Sequence, residues 1–261
     1  MTDRPGRKRK QALRIGTAGW NVPSQHADAF KAGGSHLERY ASVLNCTEIN
    51  TSFYRPHRRA TYERWSAAVP AGFRFAVKVP QSISHAPELG FDHADVDRFC
   101  EEISGLGQKL GVLLLQLPSS TIFARRGAGK LVTALQKGGQ VPVVCEPRHA
   151  SWFTRPADDW LAQRGVARMA ADPPRAANGA EPGGWTGLAY FRLHGSPRVY
   201  YSSYDAAALA ALKVRLAACA AAPVWCIFDN TASGAAIANA RQLVEIRSPS
   251  LFSRTLLREG L

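Results

Sequence analysis

Eight apolar runs of strand length, each followed by a segment with another period, constrain this chain more than any other feature. They are LRIGTAG, CTEINTSF, FRFAVKV, VLLLQLP, VPVVCEP, ARMAADP, LAYFRLHG and VWCIFDN. Most are hydrophobic almost without interruption, the mark of strands buried on both faces, as in a parallel sheet. The segments between them are amphipathic at helical spacing. Ser35 followed by Glu38 is a capping box ahead of Leu37, Tyr40, Ala41 and Leu44. Asp95 is placed to cap a second helix with Val96, Phe99, Cys100, Ile103 and Leu106 inward. RRATYERWSAAV, KLVTALQK, ADDWLAQRG, DAAALAALKVRLAACA and GAAIANARQLV follow the same period. Eight strands and about seven helices in alternation predict an α/β fold, a single (β/α)8 TIM-type barrel. One crossover is different. After the sixth strand, DPPRAANGAEPGGWTG is rich in Pro and Gly, so a loop is expected at 173–187 in place of a helix. An open doubly wound sheet is the alternative, but no G-x-G-x-x-G follows the first strand and no P-loop is present.

The length of 261 residues suits one barrel, and a 46% apolar fraction excludes wholesale disorder. The expected division is a basic tail over 1–13 and a barrel domain over 14–261. No eighteen-residue apolar run exists, and MTDRPGRKRKQALR lacks the apolar stretch of a secretory signal. Cys46, Cys100, Cys145, Cys219 and Cys226 form no C-x-x-C pair and mostly sit in apolar runs. They read as reduced core thiols, and the expectation is a cytoplasmic protein with no membrane partner. The formal charge of +13 favours a polyanion or a phosphorylated small molecule, and nucleic acid is a candidate partner. Arg4, Arg7, Lys8, Arg9 and Lys10 in the tail would add non-specific affinity for it. Oligomeric state is not legible.

Polar residues gather at the C-terminal ends of the strands. Trp20 follows the first; Glu48 and Asn50 end the second, inside TEINTSFYR with Tyr54 and Arg55; Lys78 ends the third, with His85 beyond it. Gln116 closes the fourth, Glu146, Arg148 and His149 the fifth, Asp172 the sixth, Arg192 and His194 the seventh, Asp229 and Asn230 the eighth. In a barrel these ends converge on one mouth, where active sites lie. The period of two puts Glu48 with Asn50, Glu146 with Arg148, and Arg192 with His194 on shared faces.

Three chemistries fit such a mouth. The first is hydrolysis or transfer at a phosphate-bearing or nucleic-acid-derived substrate. Arg55, Lys78, Arg148 and Arg192 would hold anionic oxygens, with Asn50, His85, His149 and Asn230 as polar contacts. Trp20, Tyr54 and Trp152 would stack on a base or sugar. His194 is assigned as the base, neutral beside Arg192, with Glu146 orienting it or a water. A divalent metal is a variant of this reading, held by Glu146, His149, Asp172 and His194, although no compact metal motif is present. The second chemistry is glycoside hydrolysis with Glu48 and Glu146 as the carboxylate pair, disfavoured because strands two and five lie almost opposite. The third is binding of nucleic acid or a nucleotide without catalysis.

GTAGW, LERYASVLNCTEINTSFYR, RFAVKVPQSISH, LLLQLP, CEPRHASWF, YFRLHG and FDNTASGAAIANA occur in this order over roughly residues 14–245. Together they resemble the YecE-like family, domain of unknown function 72. The resemblance implies a TIM barrel and places Glu146, Arg148, His149, Ser151 and Trp152 in one family pattern and Arg192 to Gly195 in another. It does not supply a reaction. After GTAGW the family continues with aromatic residues, whereas this chain has NVPSQHADAFKAGG, so the first loop shapes a different rim.

Overall fold

The computed structural model describes residues 12–246. Its strands are β1 (Leu13–Ala18), β2 (Cys46–Ile49), β3 (Arg74–Lys78), β4 (Leu110–Gln116), β5 (Val143–Glu146), β6 (Val166–Arg168), β7 (Ala170–Asp172), β8 (Gly183–Gly184), β9 (Ala189–Leu193) and β10 (Val224–Phe228). Neighbours follow sequence order from β1 to β6, all parallel, and β1 pairs on its other side with β10, which pairs with β9. The sixth stave, β6 with β7, closes the barrel. β6 pairs with β5; after Met169 the same segment, as β7, pairs with β9. The Met169 N–H still donates to the Cys145 carbonyl at 3.0 Å, and the His194 N–H donates to the Asp172 carbonyl at 2.7 Å. The expected eight-stave barrel is therefore present, with the sixth stave handing its hydrogen bonds from one neighbour to the next.

No helix follows that stave. The segment to β9 forms only β8, which runs antiparallel to β6. Gly184 makes this return fit: its φ is +64°, and a side chain there would lie 2.6 Å from the Val166 carbonyl oxygen.

The helices are α1 (His36–Ala41), α2 (Arg59–Ala67), α3 (Gln81–Ser84), α4 (His93–Ile103), α5 (Arg125–Gly139), α6 (Arg155–Gln163), α7 (Ala206–Ala218) and α8 (Ala235–Glu245). α1 opens on the expected Ser35–Glu38 capping box. The cap of α4 is corrected from Asp95 to Asp92, whose extended backbone lets its carboxylate accept the Ala94 N–H at 2.9 Å. Asp95 lies inside the first turn and pairs with Arg98 at 2.7 Å. α3 is too short for a period to reveal it.

Both faces of the staves are buried, which explains their continuous hydrophobicity. Ile15, Ile49, Phe75, Val77, Leu113, Leu115 and Val143 pack outward in the large core cluster under the helices. Cys46, Ala76, Val112, Leu114, Val144, Tyr190, Trp225 and Ile227 fill the barrel interior. Trp225 is the largest of these and fits because β4 carries Gly111, where a Cβ would lie 2.7 Å from the indole. One pleat further along the strands, the same inward faces carry Glu48, Lys78, Gln116, Glu146, Arg192 and Asp229. The apolar plug thus forms the floor of a buried polar layer.

Candidate active site

Arg192 stands at the centre of that layer, 1% exposed. Its Nε and Nη2 donate to Oε2 and Oε1 of Glu48 at 3.2 and 2.8 Å, a two-point contact. Its Nη1 donates to Glu146 Oε2 at 3.1 Å, and Nη2 lies 3.2 Å from Asp229 Oδ2. Tyr190 completes the saturation of Glu48, donating its hydroxyl to Oε2 at 2.9 Å. Burial works against the charge on Arg192, but Asp229, Glu48 and Glu146 more than offset this and hold its pKa well above the ordinary arginine value. It is a permanent cation.

His194 follows two residues later on the same face. Its Nδ1 lies 2.9 Å from Asp229 Oδ2, which fixes the ring. Its Nε2 is buried with no hydrogen-bond partner and lies 3.7 Å from Glu146 Oε1. The edge of Tyr200 covers the ring, with centroids 5.7 Å apart. Burial pushes the carboxyls of both Glu146 and Asp229 up, but Arg192 and then further cations or His194 pull them below the usual carboxylate range. Arg148, half-buried, donates from Nη2 to Gln116 Oε1 at 3.1 Å and Glu146 Oε1 at 3.3 Å, and its Nε has no partner. Lys78 is 4% exposed, and its Nζ rests 3.9 Å from the centroid of the Phe53 ring. Burial, and then Arg192, press its pKa down to about 8 despite Glu48, Glu146 and Asp229 nearby.

Of the expected site residues, Glu48, Lys78, Glu146, Arg148, Arg192 and His194 come together. Several of their roles change. Arg192 is enclosed by three carboxylates, so it has no free edge for a substrate anion. Glu48 has both oxygens engaged and is not placed as an acid or base. Glu48 and Glu146, expected too far apart, grip the same guanidinium, because Arg192 reaches across the barrel axis between them. The carboxylate that orients His194 is Asp229, not Glu146.

The remaining expectations scatter. Trp152 is buried, donates its indole N–H to the Thr121 carbonyl at 2.9 Å and packs on Phe123, so it cannot stack on a ligand. Trp20 packs edge-on against Trp65 at 5.0 Å. His149 accepts the Ser151 N–H at 3.2 Å and caps a short turn. Asn230 ties down the loop after β9 by donating to the Ser202 carbonyl and to Asn239 Oδ1, both at 2.9 Å. Asn50 is half-buried with an unpartnered Oδ1. Tyr54, Arg55 and His85 gather apart from the hub, lining a cavity of about 510 Å³ with Phe53 and α4. Asp172 is half-buried and engages through its carbonyl. Among the described residues no three His, Cys, Asp or Glu side chains converge as a metal-ligand set, and Glu146, His149, Asp172 and His194 are no exception.

Tyr190 and the role of Asp229 were missed. Both had a signal: Tyr190 stands two residues before Arg192, and Asp229 two residues beyond Ile227, so each shares an inward face with residues already singled out.

The profile of the family described as "Protein of unknown function DUF72" matches residues 14–255. The chain belongs to the DUF72 family. Among curated relatives, this DUF72 chain is 31% identical over 174 residues to the UPF0759 protein YecE of Escherichia coli K12, covering 64% of this chain and 61% of that protein. The UPF0759 protein YunF of Bacillus subtilis 168 is 25% identical over 178 residues, covering 64% of this chain and 63% of YunF. The matched region is thus less than two thirds of the length of either relative. The DUF72 fold is seen in a family member from Enterococcus faecalis V583, with a TM-score of 0.70 and 23% identity, covering 88% of this chain and 94% of that one. An L-ribulose 3-epimerase shares the barrel at a TM-score of 0.51 and 13% identity, covering 90% and 86% of the two chains. That likeness is one of fold alone. Among the described residues no helix is long and apolar enough to cross a membrane.

Proposed function

We propose that this DUF72 chain is an acid–base enzyme that transfers a group from a phosphate-bearing substrate to water or another hydroxyl at the barrel mouth. The observation that carries the reading is the His194–Asp229 pair. An imidazole held through Nδ1 at 2.9 Å, with Nε2 buried and unpartnered, is arranged to take a proton from an attacking hydroxyl. Arg148, partly exposed and with an unpartnered Nε, supplies the anion contact. Arg192 keeps Glu146 and Asp229 ionised, so that a proton gained by His194 is stabilised on both sides of the ring. The glycosidase reading loses ground because a guanidinium fills the space between the two glutamates.

The test measures binding of inorganic phosphate by calorimetry and turnover of p-nitrophenyl phosphate and its diester by wild type, His194→Asn and Arg148→Met. His194→Asn is expected to lower turnover by roughly 10²–10⁴ while phosphate still binds. Arg148→Met is expected to weaken phosphate binding. A wild-type chain that neither binds phosphate nor turns over either ester overturns the reading.

A further inference from the structure

From residue 103 to residue 145 the sequence contains no Asp or Glu, although this stretch includes β4 and all of α5. The start of α5 goes against the usual chemistry of a helix. Ala124 offers no side chain to cap it, and its first turn holds Arg125 and Arg126, where the helix dipole favours acids. Charge placed this way weakens the helix locally, so its use lies outside the packing of α5. The tertiary structure gathers that charge on one face. Arg125, Arg126, Lys130 and Lys137 of α5, with Arg164 just after α6, line a groove of about 770 Å³ against α4. All five are exposed, and among the described residues none of them forms an ion pair. Asp97 is the one acid in the described lining. Gly129 opens the groove to Arg164, whose Nη2 lies 3.3 Å from where a Cβ would stand. The same guanidinium rests 4.8 Å from the centroid of the Trp160 ring. Between Arg125 and Lys137 the helix rises about 18 Å, too far for one phosphate or carboxylate to meet all five cations. A ligand that uses them carries repeated negative charge.

The groove also continues towards the mouth. Arg126 and Lys130 line an adjoining cavity of about 660 Å³ with His85 and Ile122, and His85 lines the cavity of about 510 Å³ that holds Tyr54 and Arg55. Tyr54 is 73% exposed, so its ring is open to a flat partner. An anionic bilayer would call for exposed apolar side chains beside the cations. None of the large exposed apolar residues lines the groove between α4 and α5. We infer that this groove holds the backbone of a single nucleic-acid strand. Its phosphates lie along the five cations, and the strand runs past His85 to Tyr54, on which an unstacked base packs. A duplex keeps its bases stacked inside and leaves that ring unused. The surface is separate from the acid–base pair, and it stands whether or not the mouth turns over a phosphate ester.

Fluorescence anisotropy with the full-length protein tests this, using labelled oligothymidylate, oligouridylate and a DNA duplex. The basic tail is present in every arm and contributes equally to each. Arg126→Ala with Lys130→Ala is compared with Lys31→Ala with Arg155→Ala, a pair of exposed cations outside the groove. Loss of two phosphate contacts is expected to lower the salt slope by about 1.4 and the affinity about 25-fold at about 0.1 M salt. The groove pair is expected to melt no earlier than wild type, because the conflict with the α5 dipole is eased. The control pair is expected to keep the wild-type slope. Binding of either single strand with this pattern supports the inference. Equal losses in the two pairs would show net charge alone at work and overturn it. So would a wild-type chain that binds neither single strand at low salt, or one that binds the duplex more tightly. Binding confined to phosphatidylserine vesicles overturns it in favour of a membrane. Inorganic phosphate binding and ester turnover are expected to be unchanged in the groove pair, so the mouth is judged by its own measurement.

Discussion

Arg192 shows what a single residue decides in this barrel. Removing an ion from the interior is neutral when its partners go with it and damaging when they stay. Arg192→Met would leave Glu48, Glu146 and Asp229 buried without the one cation that contacts all three. The expected loss is about 3–5 kcal/mol, read from the urea midpoint. Arg192→Lys is expected to recover only part of it, since an ammonium cannot reproduce the two-point contact with Glu48. A methionine variant as stable as wild type would mean that the three carboxylates find other partners. The residue type at this position was readable as important, but its role was not. A strand-end arginine beside a histidine looks like an anion ligand until the structure shows which carboxylates surround it.

At the level of elements, the helices follow local chemistry closely enough that a two-residue difference can be tested. Asp92 accepts the Ala94 N–H at the start of α4, while Asp95 sits in the first turn and pairs with the exposed Arg98. Asp92→Ala is expected to cost about 1 kcal/mol, the usual worth of a cap. Asp95→Ala is expected to cost only a few tenths, the usual worth of an exposed pair one turn apart. Thermal melts of the two variants decide the order, and a larger loss at Asp95 would return the cap to the position expected from sequence. The strands were legible as eight runs because double-sided burial leaves no polar face to confuse the pattern. The division of the sixth at Met169 was not, since no residue type marks the point where a strand changes its neighbour.

For the whole molecule, the buried layer makes stability rise with pH at both ends of the scale, through a gain at the acid end and the relief of a cost at the alkaline end. Glu146 and Asp229 have folded pKa values below their ordinary 4.5 and 3.8, so the folded chain keeps them ionised where the unfolded chain has taken up protons. Their contribution is complete above about pH 4.5 and is lost as the pH falls through the folded values. Lys78 gives a slope of the same sign but as a cost, present at neutral pH and relieved as the pH rises. Its folded value is about 8 against 10.5, so between those limits the unfolded chain binds more protons and stability rises with pH. Cys46, Cys145, Cys226 and Tyr190, pushed up by burial, oppose this rise because they release protons earlier when unfolded. The lysine's share is therefore the difference between wild type and Lys78→Met in urea midpoints from pH 7 to 10.5. It is expected to narrow the destabilisation that wild type carries at neutral pH. A constant difference across that range would show that Lys78 is not depressed.

The sequence by itself determined the barrel, the loop that replaces the sixth crossover and the end of the barrel where polar groups collect. All three rest on local physics: which residues tolerate burial on both faces, where Pro and Gly stop a helix, and a pleat that returns each side chain to the same face every second residue. Only the tertiary structure decided who meets whom inside the mouth. Glu48 and Arg192 are 144 positions apart, and His194 and Asp229 are 35. Which carboxylate takes the arginine, which orients the histidine and which lysine is left without a partner depend on how far each side chain reaches across the closed barrel. That distance is set by the sum of all eight staves and by the size of the plug beneath them, which no single segment encodes.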